Sequence, residues 1–268
     1  MKFRLPMPRR WPRFPAASVK YVVVGLVAWL VFLVATIPAS IPYGYLVAGK
    51  PAQRSLALTG IQGTLWSGSA ASARIGGIAV GRLEWDMRML QLLLGRLGAH
   101  VSMQGNGLRA DGDVALKLGG EMQLSDVVAR VPAQALMPLF YGYPISLVGE
   151  FSANLEQFAV KQGQTFAARG RVAWQGAGVS APQALAFGDL LLTLEPTDDG
   201  SKGVLADKGG PMQIEGLLNI AASGQYNLDA RLAAREEQSP LKAALGMLGR
   251  PDAQGKVTFK RRGKLPGW

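Results

Sequence analysis

Cysteine is absent from the 268 residues, and histidine occurs once, at His100. The first absence removes structural disulfides, thiolate zinc sites and cysteine nucleophiles together. The second removes clustered histidine ligands and any relay that needs two imidazoles. Charge is scarce as well: 18% of residues are Asp, Glu, Lys or Arg, against about 25% in an ordinary soluble domain. What is plentiful is glycine, 34 residues of the 268, nearly twice a usual share of about 7% and without a collagen-like period. Such a load suits many tight turns between short strands better than long helices. The length allows one large or two small domains with a real core. An enzyme is already the minority reading.

The formal net charge of +11 suggests nucleic-acid binding until it is located. Lys2, Arg4, Arg9, Arg10, Arg13 and Lys20 precede residue 21 with no acid among them, and Lys256, Lys260, Arg261, Arg262 and Lys264 follow residue 254 in the same way. Between them, residues 21–254 hold 18 bases and 18 acids. A nucleic-acid binder spreads its basic footprint over a folded face with aromatics interleaved. Here the charge sits at two ends, so no nucleic-acid partner is expected and the charge is a topology signal first.

One apolar run separates the first basic segment from the rest. Tyr21 to Ile37 reads YVVVGLVAWLVFLVATI, and no charge occurs between Lys20 and Lys50. Extended to Ile41, such a run measures about 31 Å as a helix and matches a bilayer core. Tyr21 and Trp29 fit a membrane helix, Tyr43 and Tyr45 suit the far interface, and Pro38 and Pro42 end the helix. A cleaved leader would need small residues before the cut, and cleavage after Ala39 puts Ile37 in the wrong place. The expected division is therefore a basic cytoplasmic tail over 1–20, a transmembrane helix over 21–41 and a periplasmic β-rich domain over 42–268. Basic flanks face the cytoplasm, so the N-terminus stays inside.

Beyond residue 49 the hydropathy pattern alternates and glycine punctuates it. Strands are expected at 99–104, 108–118, 151–160, 166–175, 190–195, 212–220 and 225–234, with Val257–Phe259 as a last strand. Turns fall at Gly105-Asn106-Gly107 and Asp198-Asp199-Gly200. Ser239-Pro240 opens a helix whose Leu241, Ala244, Leu245 and Leu248 share a face, and Gly249 and Pro251 stop it; a shorter helix is expected near 132–140. The fold class that results is mainly β: one N-terminal transmembrane helix, then a curved antiparallel sheet, groove-like or half-barrel, with a few short helices.

Motifs that carry chemistry are near misses. Gly176-Ala177-Gly178-Val179-Ser180-Ala181 imitates a dinucleotide fingerprint, but Pro182 and Gly188 leave no helix to receive a pyrophosphate, so it reads as a turn. The stretch from Gly249 to Lys256 is one residue too long for a phosphate loop, with Val257 in place of the magnesium hydroxyl. Asp111-Gly112-Asp113 has no further acids at calcium-loop spacing, and His100 reads as a half-exposed strand residue. No catalytic, cofactor-binding or metal-ligating residue is assigned, and no cofactor is expected.

The informative motif is structural. Gly63-Thr64-Leu65-Trp66-Ser67-Gly68 has a loose echo in Gly170-Arg171-Val172-Ala173-Trp174-Gln175-Gly176. A tryptophan between glycines fills a sheet face while glycine permits the bend. Trp66, Gly68, Trp85, Trp174 and Gly176 are therefore the structural or partner-contact candidates, and Lys260, Arg261, Arg262 and Lys264 form a basic tail able to meet an acidic partner or anionic headgroups. With the basic segment, the single span, Leu83-Glu84-Trp85 and Leu92-Leu93-Leu94-Gly95-Arg96-Leu97 added, the whole chain resembles the type II secretion system protein N family. That resemblance implies a bacterial inner-membrane accessory subunit, single-pass, with a periplasmic domain that assists export of folded proteins across the outer membrane. Its implied partners are other secretion subunits, such as the outer-membrane secretin or inner-membrane assembly proteins, and membrane lipid through the helix. The family is also similar in pattern to periplasmic β-groove proteins of the AsmA and TamB kind. The alternative is therefore a lipid-handling groove, since an apolar sheet face reads the same whether side chains or acyl chains fill it. A periplasmic hydrolase is a third and weaker reading.

Overall fold

The computed structural model describes residues 16–46, 56–92, 95–140, 145–161, 165–181, 183–236 and 240–265. Two helices come first: α1, Ala16–Ala35, and α2, Ser40–Leu46. The helix expected over 21–41 is thus divided. It starts five residues early, ends at Ala35 where Pro38 approaches, and resumes after the break with Pro42 inside α2. From Tyr21 to Ala35 the apolar part of α1 rises about 22 Å, short of a hydrocarbon core of about 30 Å. Among the described residues no helix is long and apolar enough to cross a membrane.

Thirteen strands then form a single open sheet in which each strand pairs with its sequence neighbours. They are β1 Leu56–Gly63, β2 Ser67–Ile75, β3 Ile78–Met87, β4 Arg96–Gly105, β5 Leu108–Lys117, β6 Met122–Pro132 and β7 Ser146–Lys161. The remainder are β8 Thr165–Ala181, β9 Leu185–Thr197, β10 Gly200–Asp207, β11 Met212–Ala221, β12 Gln225–Ala234 and β13 Val257–Lys264. Every pairing is antiparallel. The expected antiparallel β class holds, and the sheet does not close. Local chemistry explains the hairpins. At β4–β5, Asn106 and Gly107 both take positive φ, 51° and 79°, as a two-residue turn that matches strand twist requires.

Register turns the period-two pattern into two faces. One row crosses all thirteen strands as Ile61, Ala70, Leu83, Met103, Ala110, Ala129, Ala153, Val172, Leu192, Leu205, Gly216, Ala230 and Phe259. No member is polar. The next row, on the opposite face, runs from Gln62, Ser69, Glu84, Ser102 and Asp111 to Asp229 and Lys260, and only Val128, Val204 and Leu217 in it are apolar. The apolar face is covered unevenly. The helix Pro240–Leu248 seats Leu241 and Leu245 against Met212, Ile214, Leu232 and Val257 at one end. The 3₁₀ helix Ala133–Phe140 packs back over β3 and β7. Leu97, Leu116 and Met122, also on this face, stay 41%, 46% and 37% exposed.

Bulges bend the sheet where strands are long. Register shifts interrupt β2–β3, β5–β6, β7–β8 and β8–β9, and such insertions increase local twist. In a flat sheet β8 and β10, with β9 between them, would lie about 9.5 Å apart. Yet the Ala168 amide donates to buried Ser201 Oγ at 2.8 Å, so the sheet curls there. Asp207, its side chain 11% exposed, is a largely covered carboxylate. Burial pushes its carboxyl up, but Arg235 and the amides of Ile214 and Gly209 outweigh that and leave it below its ordinary value.

Candidate functional site

The Gly63–Gly68 motif is the joint between the N-terminal helices and the sheet. Trp66 does not fill a sheet face as expected: it lies in the β1–β2 turn, and its indole Nε1 donates to Val34 O at 2.8 Å, in the last turn of α1. Backbone bonds complete the joint. The Leu65 amide donates to Ile37 O (2.9 Å) and the Ala39 amide to Gly63 O (3.2 Å), while Pro38 bridges Thr64. A helix end has orphan carbonyls to satisfy, and Trp66 takes one of them. Trp85, on β3, holds the turn from beneath by donating from Nε1 to Leu65 O at 3.2 Å. Gly68 is obligatory in this arrangement, because a Cβ there would stand 2.5 Å from the Trp85 ring and 2.6 Å from Gln62 O. Tyr43 of α2 adds a further tie that pattern reading missed. Its Oη accepts the Leu58 amide at 2.9 Å, an edge donor of β1.

Trp174 shares the motif's appearance but not its place. It sits within β8, half-buried, stacked on Phe151 with ring centroids 4.8 Å apart and edge-on to Phe187 at 6.0 Å. Its Nε1 donates to Val148 O at 2.9 Å. Gly176 is a bulge residue with φ 56°, and its amide donates to Asp189 Oδ1 at 2.7 Å. The segment from Gly176 to Ala181 is thus bulged strand rather than turn, and no helix start follows it. The two tryptophan motifs are brought to different parts of the molecule with different work: one ties a helix down, the other anchors aromatic packing.

His100 lies on the polar face, 45% exposed, as expected of a strand residue. Its surroundings were not anticipated. Nδ1 meets Asp113 Oδ1 at 2.9 Å and Nε2 meets Asp111 Oδ2 at 3.1 Å. Arg88 closes the group from β3's end, with Nη2 at 2.9 and 2.8 Å from the two Asp113 oxygens. The hydrogen bond that the ring donates to Asp113 raises the imidazole pKa first; partial desolvation opposes, and the charges of both aspartates add to the rise. Both ring nitrogens are engaged, so the imidazole is a cross-strand clasp rather than a presented base. Among the described residues no group of three or more His, Cys, Asp or Glu is arranged to hold a metal ion.

The four C-terminal bases are not a tail. Lys260, Arg261, Arg262 and Lys264 are integral to β13 and exposed. Lys260 Nζ pairs with Asp229 at 2.9 Å, and Arg262 Nε reaches Asn227 Oδ1 at 3.4 Å. Opposite Arg261 and Lys264 stand Leu228 and Gln225.

Comparison with known proteins bears on the same residues. The family model for type II secretion system protein N matches residues 54–260, from just before β1 into β13. A type II secretion system protein N from Vibrio cholerae is 30% identical over 243 residues, covering 87% of this chain and 94% of its own length. One from Aeromonas hydrophila is 28% identical over 249 residues, covering 90% and 96%. No solved structure matches. A family model spanning most of the sheet, with relatives aligned nearly end to end, establishes that the chain belongs to the type II secretion system protein N family.

Proposed function

We propose that this protein is a non-enzymatic accessory subunit of a bacterial type II secretion system, held in the inner membrane by α1 and acting in the periplasm through protein contacts. One observation carries the anchor: the described apolar side chains of α1 are exposed. Tyr21, Phe32 and Val24 are 79%, 64% and 66% exposed, and Leu26, Trp29, Leu30 and Val34 follow them. Such a surface requires a cover, and lipid is the natural one. The apolar part of α1 is about 8 Å shorter than the hydrocarbon core, a mismatch that local thinning of the bilayer meets. The bases before residue 21 then mark the cytoplasmic side. The Trp66 joint fixes the sheet at a set place beneath the membrane surface, as a docking platform needs.

Topology tests this directly. A reporter fused after Trp268 should be active only in the periplasm, and reversing the sign of Arg9, Arg10 and Arg13 should weaken that orientation. A cytoplasmic C-terminus ends the reading. The partners are other secretion subunits, to be identified by crosslinking in intact cells. The apolar row across the sheet, with Leu97 and Leu116 open, supports a second reading as a lipid-handling groove. Lipid retained through purification would favour it, and its absence would leave the protein-contact role alone.

A further inference from the structure

The sheet has two edges, and they are finished differently. At β1, Tyr43 takes the outward Leu58 amide and Pro38 bridges Thr64. At β13 no described element is paired alongside. The Leu265 amide donates inward to Gly224 O at 2.9 Å. Antiparallel pairing alternates, so Val257, Phe259, Arg261 and Gly263 turn their backbone groups to β12, and Thr258, Lys260, Arg262 and Lys264 turn theirs outward. Among the described residues nothing pairs with the outward amides and carbonyls of these four along an eight-residue strand. Their flank is cationic, and in the register no carboxylate stands opposite Arg261, Arg262 or Lys264.

We propose that β13 is a docking edge: an extended, acidic segment of another protein adds to it as a fourteenth strand. Backbone hydrogen bonds supply affinity, and carboxylates flanking Arg261, Arg262 and Lys264 supply selection. A basic edge is also a known guard against indiscriminate strand pairing. The two effects agree here, because a second copy of this edge would bring like charges together, whereas an acidic strand meets opposite ones. This proposal rests on the reading of the protein as a periplasmic contact module.

The experiment places a photo-crosslinking residue at Thr258, Arg262 or Phe259 of the full-length protein in secreting cells, with further positions on the polar face, and maps the attached peptides by mass spectrometry. Positions 258, 259 and 262 should all capture one net-acidic segment of a secretion subunit, because strand addition sets a new neighbour beside every side chain of the edge. Two variants separate backbone from charge. Arg262→Pro removes an outward amide while leaving the β12 ladder intact, and should abolish capture at 258 with abundance unchanged. Arg262→Gln keeps the amide, and should reduce capture several-fold and weaken its dependence on salt, with Arg261 and Lys264 still charged. Capture of a basic or neutral segment, of a second copy, or of nothing at positions 258 and 262 overturns the proposal, as does full capture by Arg262→Pro. If polar-face positions capture secretion subunits while β13 does not, the edge proposal fails and the contact-module reading stands. Should Arg262→Pro lower abundance, Arg262→Gln decides alone.

Discussion

Trp66 and Trp174 look alike in sequence and should fail differently. Trp174 is stacked on Phe151 and hydrogen-bonded to Val148, so Trp174→Ala should destabilise the sheet by about 3 kcal/mol, the low end for a large aromatic, and lower abundance. Trp174→Phe should cost about 1 kcal/mol, for one hydrogen bond. Trp66 touches the end of α1 rather than the core, so Trp66→Phe should leave the urea midpoint of the sheet near wild type while weakening export. Equal losses of stability in both would remove the distinction between joint and core. His100 gives a pH test. Its pKa is raised by the Asp113 and Asp111 partners, so its stabilising effect is full below about pH 6.5 and is lost as pH rises through the raised value. An NMR titration of the ring should show that rise, and His100→Gln should remove this alkaline loss from the thermal stability profile. The pairing itself was readable. A two-residue turn at Asn106-Gly107 sets His100 opposite Asp113, and acids two apart lie on one strand face.

At the level of elements, local signals were the most legible. The C-terminal helix begins at Pro240 and ends at Leu248, as its proline start and Gly249 stop foretell; Ser239, expected as its cap, lies outside the described residues. Leu241 and Leu245 are 4% and 6% exposed, so replacing either by Ala should destabilise by about 2–5 kcal/mol. The change should increase binding of an apolar dye, since Val257 and Leu232 beneath would open; urea melts and dye fluorescence measure both. Less legible were β1, β2, β3, β6 and β10. Their serines, glycines and alanines blur alternation, as in Ser67–Ile75, where a bulge shifts the register midway. The segment from Tyr21 to Ile41 shows the opposite limit. Hydropathy finds the run and Pro38 marks its break, but the tie from Leu65 to Ile37 that pins the break to the sheet comes from tertiary structure.

For the whole molecule, alternation announced a sheet with two unlike faces, and register confirms it residue by residue. An open, curved antiparallel sheet was the expectation; that all thirteen strands join it in sequence order was not readable, because period two says nothing about partners. Nor was the role of the basic residues after 254. As a run of charge they read as a basic tail after a short last strand, and only pairing with β12 carries that strand on through Lys264.

Strict sequence order along the sheet has a consequence for assembly. Each strand's partner is the one made just before it, so no hairpin waits for a distant segment, and the entropy lost in closing long loops is avoided. A chain delivered end first can zip up as it emerges, always with one growing front. The first strand is already capped by Tyr43 and Pro38, which fixes where growth starts. The last strand carries Lys260, Arg261, Arg262 and Lys264, and like charge there stops a neighbouring copy from continuing the series.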